Sequence, residues 1–353
     1  MLGRLLQKLS RRHGNAGKEA APCVNPPADL VDLDSLGVFV GVDGYSPPDW
    51  QRIQEAISAL PADTPFALVW RSVVAQWLDR LAGELGNAYV YRSSRSMLVT
   101  SASEDDARRL SRFIDRTCEQ IALTLGDLAL DHADWPVVVI DFDSHEKYYT
   151  YVSHFYSDGE YATSGGVCIR QGYVHAVFPP VHYARSEAIA HELTHLLLAE
   201  RDMPLWFEEG VCQVMEEIAI GARHFNFDRE MSRRQREHWG PRGLQAFWSG
   251  EAFSLPDDHQ ELSYALAQAI VRVMIGDHPK GFRGFIREAH WSDSGDGAAR
   301  KHFGANLAEF VAPMLGEGEW APKPIEEAPG KPSSRLTLAA LVGTRCSRPT
   351  YAR

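Results

Sequence analysis

The sequence predicts an α+β fold, with its strands gathered in the first half of the chain and its helices in the second. Three observations point to it. Short apolar, β-prone runs stand at 88–92, 96–101, 136–142, 167–170 and 173–178. From residue 183 onward apolar residues recur at helical spacing. The front and back halves therefore differ in character, unlike a chain of regularly alternating βαβ units.

The elements follow in order. Leu2, Leu5, Leu6 and Leu9 fall at helical spacing in a basic N-terminal segment, which reads as a terminal helix or a weak surface anchor. Residues 1–30 as a whole read as a flexible arm, with Gly, Asn, Pro and Ala over 10–30. LGVFVGV at 36–42 reads as a short strand. Ser46-Pro47-Pro48-Asp49 makes a turn that opens a helix over 49–60. Val69, Trp70, Val73, Val74, Trp77, Leu78 and Leu81 place a second helix over 66–86. The runs 88–92 and 96–101 form a hairpin around Ser93-Ser94. Ser103 followed by Glu104, Asp105 and Asp106 has the capped, acidic start of a helix that runs to about Leu125. PVVVIDF at 136–142 is a buried-strand candidate, followed by a helix over 144–156. The last two runs flank Gln171-Gly172 and form another hairpin. Helices are expected at 183–200, 204–221, 226–239, 259–276, 279–290 and 297–315. Residues 317–353 are rich in Pro, Gly, Ser and charge and read as a disordered tail, with local docking open to 336–342.

Composition narrows the function. The chain has 353 residues, 44% hydrophobic and 24% charged, which suits a globular protein with a sizeable core. Its net charge of −11 disfavours sequence-independent nucleic-acid binding, which rests on basic patches. Five cysteines at wide spacing, with no CxxC pair, do not form a disulfide framework and suit a reducing compartment. No apolar run has the length of a membrane span, and no secretory signal opens the chain, so a cytoplasmic location is expected.

The chemistry concentrates at His-Glu-Leu-Thr-His, residues 191–195. With about 100° per helical residue, His191 and His195 lie only about 40° apart, so both imidazoles reach one ion. Ile189, Ala190, Leu193, Leu196 and Leu197 fall between about 140° and about 260° on the same wheel, so a core face opposes the histidine face. Glu192, beside the two histidines, is placed to deprotonate a metal-bound water without being a ligand. A zinc site of this kind needs a third protein ligand and an open position. Thirteen residues lie between His195 and Glu209. They are enough to end one helix and begin a second that carries Glu208 and Glu209, and neighbouring helix positions point about 100° apart, so one of this pair faces the metal. Glu208 is alternatively a solvated acid at a helix start, favoured by the dipole.

HELTH followed by WFEEG at 206–210 resembles the gluzincin zinc metallopeptidases, and more closely their smaller peptidase-MA-like domains than the large aminopeptidases. The resemblance spans about 96–316 and is motif-grade over 191–216. It implies a zincin-like architecture: a small mixed sheet, the active-site helix, then a helical lobe. In those terms 31–95 is an N-terminal α/β region and 96–316 the metallopeptidase domain. The resemblance assigns one Zn2+ per chain to His191, His195 and Glu209, with Glu192 as general base toward a peptide carbonyl. Glu216 matches an acidic position of the second helix and orients a zinc-bound histidine or is an ordinary surface acid. Tyr264 matches an oxyanion donor of a later helix; its alternative is a core aromatic beside Leu262, Leu266 and Ile270. His259 and Tyr183 are weaker candidates for that role, and His224, His238 and His278 are not read as ligands. The hairpin 166–178 supplies an edge strand for extended substrate or is purely structural. Cys212 reads as a small apolar residue of the second helix. The expected partner is a peptide or protein substrate. The rival reading is a metal-binding but restrained or vestigial module on the same fold.

Overall fold

A computed structural model describes residues 30–41, 44–129, 135–156, 165–180, 185–221, 225, 227–255 and 258–325. The N-terminal arm, Tyr183, His224 and residues 326–353 lie outside the described residues. The fold is α+β, with a five-stranded mixed sheet, and the chain divides into two compact units. One spans 17–115 and 131–185; the other joins 116–130 to 186–331.

The sheet unit begins with a helical turn, α1 (Leu33–Leu36), capped by Asp32 and ended by Gly37 at φ 58°. This turn replaces the start of the strand expected at 36–42; among the described residues of that segment, 36–41, Phe39 makes a β-bridge to Pro48. Asp49 then caps α2 (Trp50–Ser58), and α3 (Phe66–Leu85) follows. The strands are β1 (Tyr89–Arg92), β2 (Ser96–Thr100), β3 (Val137–Asp141), β4 (Val167–Ile169) and β5 (His175–Phe178). Their order is β1-β2-β3-β5-β4. The three central strands are parallel, and β1 and β4 join as antiparallel edges through hairpins. The parallel β2–β3 pair is bridged by α4 (Glu104–Leu125), so the front half does contain a βαβ crossover. α5 (His145–Ser153), capped by Ser144, follows β3.

Alternation sorts the sheet's side chains. Met97, Val99, Val138, Ile140, Ile169 and Val177 enter one core with Val73, Val74 and Trp77 of α3 and Tyr148, Tyr151 and Val152 of α5. Leu98, Val137, Val139 and Ala176, with the opposite parity, are buried on the other face. There Ser96 donates to Asp115 of α4 at 2.8 Å. Coverage of both faces explains the uninterrupted Val-Val-Val-Ile run of β3. At the β4–β5 turn Gly172 has φ 70°, and a Cβ there would lie 2.1 Å from the Trp50 ring. His175 is fully buried between two partners: its Nδ1 donates to the Tyr173 carbonyl at 2.6 Å and its Nε2 accepts from the Tyr151 hydroxyl at 2.8 Å. Burial pulls the imidazole down to about 4.

The helical unit takes up the chain again from residue 186 within α6 (Arg185–Leu197). It continues with α7 (Leu205–Ile220), α8 (Arg229–His238), α9 (Gly243–Ser249), α10 (Asp258–Asp277), α11 (Pro279–Glu288), α12 (Asp296–Phe303) and α13 (Leu307–Leu315). The single helix expected over 297–315 is two, because Gly304 at φ 72° ends α12 and an Asn306–Glu309 capping box starts α13. The short α9, between Gly243 and Gly250, was not anticipated. Trp206, Phe207, Phe247, Trp248 and Phe285 form an aromatic centre. Trp206 is tied to it by a 3.0 Å bond from Nε1 to the Ser294 carbonyl. Residues 317–325, read from sequence as the start of a tail, lie along this unit. The Trp248 indole donates to the Trp320 carbonyl, Gln245 bonds Ala321 and Lys323, and Ile325 donates to the Ser292 carbonyl. No helix among the described residues is long and apolar enough to cross a membrane.

Candidate metal centre

The centre is built from two helices of one unit. In α6 the helical repeat sets His191 and His195 one turn apart, and the opposite face, Ile189, Ala190, Leu193, Leu196 and Leu197, is buried. Arg201 to Pro204 turn the chain, and α7 starts at Leu205. Its Gly210 lets it approach α10 closely: a Cβ there would lie 2.7 Å from the Ala267 carbonyl oxygen and from Val271. Glu217 of α7 reinforces that contact, accepting from Arg272 at 2.5 Å and Gln268 at 2.8 Å.

Three donor groups converge between α6 and α7. The Nε2 atoms of His191 and His195 are 3.1 Å apart. Glu209 brings Oε2 to 3.1 Å from His191 Nε2 and Oε1 to 3.5 Å from His195 Nε2. Tetrahedral ligands bound at about 2.0–2.1 Å stand about 3.3 Å from one another, so this spacing can accommodate a metal ion. Glu208 points elsewhere. Its Oε1 accepts from His195 Nδ1 at 2.8 Å, and Glu216 Oε1 accepts from His191 Nδ1 at 2.6 Å. Each carboxylate fixes the tautomer of its histidine, leaving the Nε2 lone pairs to face one point. Glu209 Oε2 is buried there without a hydrogen-bond partner.

The electrostatics agree with the geometry. Burial opposes charge on His191, yet Glu209 and Glu216 outweigh it and raise the imidazole well above its ordinary range. Burial likewise opposes charge on Glu209, and His195 and His191 outweigh it, holding the carboxyl far below its ordinary range. Two imidazoles and a carboxylate that turn acceptor atoms to one point favour positive charge there, from a proton or a metal ion. Cys212, one turn after Glu209, brings its sulfur into the same group: the ligand atoms of His191, His195 and Cys212 all lie within 4.8 Å of one another. This cluster can hold a metal ion.

The other sequence candidates divide. Glu192 is half-buried beside His191, and its charge acts on both His191 and Tyr264. The Tyr264 ring lies 6.3 Å from that of His191. The negative charge of Glu209, then burial, then Glu192 keep its hydroxyl protonated far above the usual tyrosine range. His259 is stacked edge-on against His238 at 4.3 Å, and His278 packs on Phe303 and Phe310. Sequence reasoning left two roles unassigned: Glu208 as the partner of His195, and Cys212 as a neighbour of the donors. The pairing of Glu208 depends on how α7 is rotated, which no local pattern reveals. The Cys212 position had a signal, since it stands three residues after Glu209 and shares its helix face.

Against protein-family models and against curated proteins, the chain finds no match.

Proposed function

We propose that this chain is a zinc-dependent hydrolase of the gluzincin type, acting as a peptidase. The observation that carries the reading is the convergence of His191, His195 and Glu209 at tetrahedral spacing, with both Nδ1 atoms held by carboxylates. The edge position of the antiparallel β4 and the order of sheet, HELTH helix and helical lobe support a zincin-like architecture.

When bound, zinc supplies Lewis acidity, polarising a carbonyl and making water acidic enough to attack near neutral pH. The chain's own residues do the rest. Glu192 takes a proton from the attacking water and returns it to the leaving amine. Tyr264, kept protonated by the surrounding carboxylates, donates a hydrogen bond to the oxygen that gains charge. Glu208 and Glu216 hold the two imidazoles in the orientation that directs Nε2 to the ion.

The test is zinc content and peptide-library cleavage on the full chain. About one zinc per wild-type chain is expected, lost in His195→Ala, with cleavage that disappears in Glu192→Gln. A folded wild-type protein that takes up no added zinc would overturn the reading.

A further inference from the structure

We propose that the centre has two completing donors, so that His191 and His195 serve an oxygen set closed by Glu209 and a sulfur set closed by Cys212, the latter preferred by thiophilic ions. The proposal rests on the metal-binding reading above and extends it to a second ion class.

The geometry places both donors on one wall. Glu209 and Cys212 are three residues apart on α7, so their side chains leave the helix about 60° from each other. Both are buried, and the thiol is among the described cysteines that form no disulfide. Glu209 is the nearer, at 3.1 Å and 3.5 Å from the two Nε2 atoms, whereas the sulfur lies inside a 4.8 Å limit. Metal–sulfur bonds near 2.3 Å and metal–nitrogen bonds near 2.0 Å set sulfur about 3.5 Å from nitrogen in a tetrahedron. A shift of about an ångström, by the ion or by the thiol rotamer, therefore brings Cys212 into the set. The buried Glu209 Oε2, without a hydrogen-bond partner, marks the same wall as the one that faces the ion.

The chemistry then selects. Zinc accepts carboxylate, imidazole and thiolate alike, whereas a softer ion such as cadmium favours the thiolate more strongly over the carboxylate. As the metal–sulfur bond forms, the S–H bond breaks and its proton passes to water; nothing is oxidised or reduced. If Glu209 and Cys212 bind together, all four positions are filled and no place remains for water, the coordination of a structural site. That four-donor form would be a silent state of the centre, whereas the sulfur set alone keeps one position open.

The experiment is titration of the full-length protein with cadmium alone, reading the near-ultraviolet cadmium–thiolate charge-transfer band. The band is expected in wild type and in Glu209→Ala, and its loss in Cys212→Ser, Cys212→Ala and His195→Ala. A folded wild type and Glu209→Ala that bind cadmium without the band would overturn the proposal, as would a band that survives in Cys212→Ser. Zinc binding and peptide cleavage by the wild-type protein in either case would leave the hydrolase reading standing. A wild type that binds neither ion would defeat both.

Discussion

The carboxylate of Glu208 accepts a hydrogen bond from His195 Nδ1 across 2.8 Å, one position before the carboxylate that faces the histidine Nε2 atoms. Adjacent helix residues thus address opposite nitrogens of the same ring. Glu208→Ala should lower zinc affinity on the order of 10–100-fold, because the ring loses the partner that sets its tautomer. Glu208→Gln, which keeps an acceptor oxygen, should lose less. Competition against a chromophoric chelator measures this. Unchanged affinity in the alanine variant would mean that packing alone orients His195.

Glu192→Gln should leave zinc content intact, since all three converging donors survive. Peptide cleavage should fall by roughly 10²–10⁴, the usual weight of a general base. Elemental analysis and a rate assay on one preparation decide it; a variant with wild-type turnover would remove Glu192 from the mechanism.

Gly210→Ala should destabilise the helical unit, because the new methyl meets the Ala267 carbonyl oxygen at 2.7 Å and that atom is backbone. Overpacking of this kind costs about 1–3 kcal/mol. The shift of α7 should also loosen the metal centre, so thermal melts with and without zinc should show a lower transition and a smaller gain on zinc addition. An unaltered melt would show that α7 and α10 can separate without cost.

His175 should make the sheet unit acid-sensitive. Its folded value is about 4 against an ordinary 6.5, so between those values the unfolded chain binds the proton and the native one does not. The stability is complete above about pH 6.5 and is lost as pH falls toward 4, on the order of 3 kcal/mol in all. His175→Leu should lower stability at neutral pH, by leaving Tyr151 and the Tyr173 carbonyl without their partner, and should flatten the acid dependence. Urea melts at pH 7 and pH 5 compare the two proteins. Parallel pH profiles would assign the acid dependence to other groups.

Periodicity made much of this fold legible. α3 and α6 follow their apolar spacing, and the two hairpins follow β-prone runs around short turns. What failed was decided by caps and glycines. The turn at Leu33–Leu36 exists because Asp32 caps it and Gly37 takes a left-handed conformation, which outweighs the β-prone valines after it. Gly304 likewise divides two helices whose apolar pattern reads as one. At the centre, the i,i+4 histidines were legible because the helix repeat alone puts them together. The pairing of Glu208 with His195 was not, since it is a long-range consequence of how α7 lies against α6.

The segment that carries Trp320 bears on the order in which the protein is made. Strands and helices of the sheet unit are supplied by residues up to 185, so that unit has its described elements once this stretch has left the ribosome. The helical unit waits much longer. Its Trp248 indole, Gln245 side chain and Ser292 carbonyl find their partners only when residues 320–325 arrive. The two histidines are therefore synthesised more than a hundred residues before the clasp that completes the unit around them. A nascent chain stalled in that interval holds both imidazoles in an unfinished helical unit, and this is where chaperone demand during synthesis should concentrate.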